Sequence, residues 1–130
     1  MMWWLVVALV VAQGSLADAA ERARGAWLAH DPQGLVGQGG SVVLQIPGAD
    51  PLVPLDRAQA SELLRRHWRN AVERSLTLRG VHDLGAGKGY ADLERRYVVV
   101  GTADERQETL VLGFRSGGGS WRLVEVRSTP

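Results

Sequence analysis

From Tyr90 to Val126, apolar and polar positions alternate through three successive runs, YADLERRYVVV, ETLVLGFR and SWRLVEV. Leu93, Tyr97 and Val99 share a face of the first run, Leu110, Leu112 and Phe114 a face of the second, and Trp121 and Leu123 a face of the third. A period of two predicts β-strands with one buried side. The first joint, GTADE, is short and polar; the second, SGGGS, supplies the glycines that left-handed backbone angles require. Such an antiparallel meander needs helices over one face to cover its apolar side.

The chain ahead of the meander supplies them. Residues 19–29, AAERARGAWLA, repeat with helical spacing: Ala19, Ala23, Ala26 and Trp27 lie on one side, with Glu21, Arg22 and Arg24 mostly away from it. Pro32 ends this helix near His30, and DPQGL reads as a turn or a short second helix. After a flexible break at Gly37–Gly40, SVVLQIP (41–47) predicts the first strand. The run LDRAQASELLRRHWRNAV predicts a helix with Asp56 as N-cap and Gln59 completing a capping box. Its apolar stripe is Ala60, Leu63, Leu64, Trp68 and Val72. Residues 75–84, SLTLRGVHDL, alternate as a strand with Leu76, Leu78, His82 and Leu84 on one face, and GAGKG leads into the meander. The expected fold is α+β: a curved, mixed or antiparallel sheet of about four to five strands on two or three N-terminal helices.

Two features of the composition bear on location. Residues 3–12, WWLVVALVVA, form an uncharged apolar run that suits a signal peptide and is too short to span a bilayer of about 30 Å. Ala17 and Ala19 form an A-x-A cleavage site, with Ala12 and Gly14 as an earlier alternative. The expectation is a signal peptide over 1–19 and one domain over 20–130, exported to the periplasm or beyond, with no stable membrane insertion after cleavage. The absence of cysteine rules out disulfides, thiolate metal sites and a cysteine nucleophile. A net charge of +1 gives no global attraction to nucleic acid.

Candidate chemistry is sparse. Gly85, Gly87 and Gly89 surround Lys88, the only lysine, but a strand follows where a phosphate loop needs a helix, so the run reads as a flexible connection. His82 shares its predicted face with leucines. It reads either as a pocket-lining general acid or base, paired with Asp83, Asp92 or Glu125, or as an edge-exposed strand residue. Arg95 is in phase with Leu93 and Tyr97 and therefore points inward; a buried arginine needs a partner, Glu125 or Glu108, unless it anchors an anionic ligand. Trp27, Trp68 and Trp121 are either core or the walls of one cavity. The candidate binding residues are thus Trp27, Trp68, His82, Arg95, Tyr97 and Trp121; no catalytic residue, metal ligand or cofactor is assigned.

Four segments carry a resemblance: VVLQIPG (42–48), RAQASELLRRHW (57–68), GVHDLGAGKGYA (80–91) and SWRLVEVR (120–127). With the order of elements, they resemble the nuclear transport factor 2-like (cystatin-like) superfamily, most nearly its small exported bacterial members of unknown function. The chain departs from those members at His67–Trp68, where an aromatic pair is usual, and at Glu94–Arg96, where the strand is more apolar. The resemblance implies a cone between sheet and helices. That cone, or the sheet face, would take a small apolar ligand or a protein partner without catalysis, with a homodimer as one arrangement. The alternative it implies is a small isomerase, dehydratase or hydrolase with a His/Asp acid–base pair.

Overall fold

The computed structural model describes residues 14–37 and 40–130. Helices α1 (Leu16–Leu28) and α2 (Pro32–Val36) lead to strand β1 (Val43–Gln45) and helix α3 (Arg57–Trp68). Strands β2 (Ala71–Gly85), β3 (Lys88–Val99), β4 (Glu105–Gly117) and β5 (Ser120–Thr129) follow. The sheet order is β1-β5-β4-β3-β2, antiparallel except where β1 runs parallel to β5. The expected α+β architecture and its order are therefore present. The apolar run at residues 3–12 lies outside the described residues.

Local sequence sets the helix ends. Ser15 caps α1 through a reciprocal capping box with Asp18, so the helix begins before Ala19 and carries Leu16, Ala19, Ala20, Ala23 and Trp27 into the core. Leu16 seats on Gly89 of β3, where a Cβ would collide with it. Asp56 and Gln59 form the predicted capping box of α3. Arg65, Arg66 and His67 sit in its last turn, where positive charge complements the helix dipole. That helix stops at Trp68, four residues before Val72. Val72 belongs to β2 and is 46% exposed, which corrects its place in the helix stripe.

Bulges decide which side chains face the helices. Leu78 pairs with Leu93 and Gly80 with Asp92, leaving Arg79 as an extra residue. Beyond it the alternation inverts: Val81 packs against the core, while Leu84 is 64% exposed and the His82 side chain 45% exposed. The expectation that His82 and Leu84 share a face with Leu76 and Leu78 fails for that reason. On β5, Gly113 pairs with Glu125 and Phe114 with Leu123, so Val124 is extra. Leu123 and Val126 are buried and Glu125 turns to the outer face, where it accepts a hydrogen bond from Gln45 Nε2 at 3.1 Å.

Candidate functional site

Helix α1 runs along the sheet from Gly89 to Arg95, and the two ends of this layer differ in chemistry. At the far end Arg95 is 1% exposed, held inward by its alternation with Ala91 and Leu93. Its Nε and Nη2 donate to the two oxygens of Glu73 at 2.7 and 2.6 Å, a bidentate fork, and Nη1 donates to Glu108 Oε1 at 2.7 Å. Glu73 also accepts from Trp27 Nε1 at 2.9 Å and meets His30 Nε2 at 3.2 Å, while Ser128 Oγ donates to Glu108 at 3.0 Å. The guanidinium lies 5.1 Å from the Trp27 ring and 3.9 Å from that of Tyr97.

An aromatic layer closes over these charges. Trp68 meets Trp27 edge-on at 5.1 Å and stacks on His30 at 5.1 Å, and His67 meets Trp27 edge-on at 6.1 Å. His30 reaches this position from an unusual backbone. It occupies the C′ site of α1 with φ 50, where glycine is usual, and donates to the carbonyl of Trp27 while Asp31 donates to that of Ala26. A non-glycine residue held there is local strain.

Electrostatics follow from burial. For Glu73, burial favours the neutral acid, but this is outweighed by the hydrogen bonds and charge of Arg95, with His30 and Trp27 adding to them; its pKa is lowered. For Arg95, burial opposes the charge, and Glu73 and Glu108 outweigh it, so the pKa is raised. His67 is pushed down by burial and then by Arg95, and its Nε2 is buried without a partner, as are Trp68 Nε1 and Ser61 Oγ. One guanidinium stands against two carboxylates. His30, 30% exposed at the rim, contacts Glu73 Oε2 through its Nε2.

Four predicted residues, Trp27, Trp68, Arg95 and Tyr97, thus come together. His82 does not: it lies on the outer face, bonded to Asp92 Oδ1 at 2.9 Å and stacked on Tyr90 at 4.5 Å, away from the helices. This corrects its placement as a pocket-lining residue. Glu125 is not the partner of Arg95, because the Val124 bulge turns it outward; Glu108 is. Glu73 was missed because the helical pattern was carried through Val72, hiding a strand that starts at Ala71. In the sequence Glu73 is out of phase with Leu76; a further bulge, between Glu73 and Ser75 with Arg74 extra, turns it inward, and no local pattern records that insertion. Trp121 sits at the opposite end.

There the layer opens. A recess of about 290 Å³ lies between α1, α2 and β5, floored by Ala19, Ala23, Leu35, Phe114, Trp121 and Leu123, with Arg22 and Arg122 bordering it. Small side chains on α1 leave this space. Among the described residues no group of three His, Asp or Glu side chains could hold a metal ion.

No family model matches the sequence, and no curated protein matches it. Solved structures do. The ketosteroid isomerase-like protein from Erwinia carotovora atroseptica is 14% identical with a TM-score of 0.65, over 88% of this chain and 95% of that one. An NTF-2 like protein of unknown function from Shewanella oneidensis is 10% identical with a TM-score of 0.60, over 88% and 95%. A protein with a ketosteroid isomerase-like fold from Catenulispora acidiphila, solved in complex with trimethylamine, is 13% identical with a TM-score of 0.64, over 87% and 85%. By this likeness of structure over most of its length, this chain has the nuclear transport factor 2-like, ketosteroid isomerase-like fold.

Proposed function

We propose that this is an exported, non-catalytic binding domain that takes a small apolar ligand in the recess between α1, α2 and β5. The observation that carries this reading is the contrast between the two ends of the helix–sheet layer. At one end Arg95 and Glu73 are buried and mutually bonded, so an apolar guest would have to displace ion pairs. At the other, Trp121, Phe114 and Leu123 border an open volume that needs no such displacement. The acid–base alternative draws less support, because the His82–Asp92 pair faces away from both ends. Export is proposed on the apolar run at residues 3–12 and the small residues after it.

Titration with a neutral, environment-sensitive naphthylamine dye tests the recess. Dye fluorescence should rise on binding, and Ala23→Leu, which fills the space, should weaken affinity at least tenfold while the circular dichroism spectrum stays unchanged. Equal binding by that variant would remove the recess from consideration. Intact mass of protein recovered from the exported fraction tests export separately: loss of the N-terminal run supports it, and full-length protein confined to the cytoplasm contradicts it.

A further inference from the structure

The outer face of the sheet carries a second feature, which shares Arg122 with the border of the recess. The tight β2–β3 turn, with Gly85, Ala86 and Gly87 all at positive φ, places Lys88 as the first residue of β3. In the ladder Lys88 stands directly opposite Arg115, and Arg115 directly opposite Arg122. Three cations therefore form one row across β3, β4 and β5. All three are exposed, and their neighbours Gly89, Phe114 and Leu123 are buried, which fixes the row on the face away from the helices. Like charges directly opposite on a sheet repel. Among the described residues none of the three has an ion-pair partner or side-chain hydrogen bond.

One carboxylate, Glu125, stands beside the row with its Oε1 over Gly113, and among the described residues it forms no ion pair with the three cations. In the adjacent cross-strand row Gly113 contributes no side chain, and Glu125, its neighbour, bonds to Gln45. Two open depressions, of about 250 and 510 Å³, meet at Arg115 and Glu125: Lys88, Tyr90 and Arg127 border one, and Ser41 and Arg122 the other. At the sheet end, Gly117 lies against the Arg122 guanidinium, and Gly118 adds no side chain to cover the row. We propose that Lys88, Arg115 and Arg122 bind a phosphate group of at least two negative charges, which cancels the repulsion the row carries by itself. Arginine forks and a lysine point charge suit tetrahedral oxyanions. This is a different use of Lys88 from a phosphate loop, because the donors come from three strands.

Inorganic pyrophosphate and anionic vesicles are the probes, used on the purified full chain. At matched ionic strength, pyrophosphate at tenfold excess over its Kd should raise Tm by about 5 °C relative to chloride. Arg115→Gln, which removes the central charge, should have an unchanged or higher Tm in chloride and lose the pyrophosphate gain. Arg122→Gln should halve the gain or more, and serves if the first variant folds poorly. An equal gain in matched chloride, or a full gain in folded Arg115→Gln, would overturn the site. Cosedimentation with phosphatidylglycerol vesicles that Arg115→Gln abolishes assigns the phosphate to a lipid headgroup. A pyrophosphate response without vesicle binding assigns it to a free phosphate compound. Vesicle binding that survives the substitution counts against the row.

Discussion

Arg95 is the residue on which the far end of the molecule depends. Its removal leaves Glu73 and Glu108 buried and unpaired, so Arg95→Met should destabilise the fold by about 3–5 kcal/mol in urea denaturation. Replacing the whole network by apolar side chains would cost far less, because what is expensive is the orphaned charge. His30 allows a finer test, since it combines backbone strain with side-chain contacts. Its ring bonds Glu73 and stacks on Trp68, while its backbone sits at φ 50. His30→Ala loses the contacts and keeps the strain; His30→Gly loses the contacts and relieves it. Gly should therefore be the more stable of the two variants by about 1 kcal/mol, read from paired denaturation curves. Arg95 was legible as an inward, partner-seeking residue from its phase with Leu93 and Tyr97. His30 was legible only as a helix-end residue, because nothing local reports the stack that forms with a tryptophan thirty-eight positions on.

At the scale of elements, caps and bulges carry different kinds of information. The Asp56–Gln59 and Ser15–Asp18 boxes are local, satisfying backbone donors within three residues. Asp56→Ala should cost about 1 kcal/mol without changing the fold, measured as a shift in the urea midpoint. The bulge at Arg79 is not local: its presence is defined by what β3 offers opposite β2. Deleting Arg79 removes the extra residue and leaves Leu78, Gly80 and Val81 in unbroken alternation opposite Leu93, Asp92 and Ala91, with Leu78 and Val81 still facing the core. A loss within about 1 kcal/mol is expected in urea melts, that of the exposed Arg79–Glu94 pair, with the His82–Asp92 contact kept; loss of that contact in nuclear Overhauser spectra would show that the bulge sets the register. Sequence alternation alone placed His82 with the leucines because a period of two carries no sign of an inserted residue.

For the whole molecule, the buried network links folding to pH. Glu73 has a lowered pKa in the folded state, so its contribution is present above the carboxylate's unfolded value, near 4.5, and is lost as pH falls through the lower folded value. His67, also lowered, acts in a higher window: between its folded value and 6.5 the unfolded chain binds more protons, so stability rises with pH there. Wild-type stability should therefore fall on acidification in two stages, first below about pH 6.5 and again below about 4.5. His67→Phe should remove the first stage, and Glu73→Gln should flatten the second while lowering stability at neutral pH. A pH series of urea melts separates them. By itself the sequence determined the order of helices and strands, the inward face of the meander as far as Leu123, the cap of α3 and the inward turn of Arg95, because each depends on spacing within a few residues. Only the tertiary structure decided that Glu73 and Glu108 receive Arg95, that His82 and Glu125 face outward, and that Lys88, Arg115 and Arg122 stand in one row. Those relations arise from register between strands, where one extra residue exchanges inside for outside and no local pattern records it.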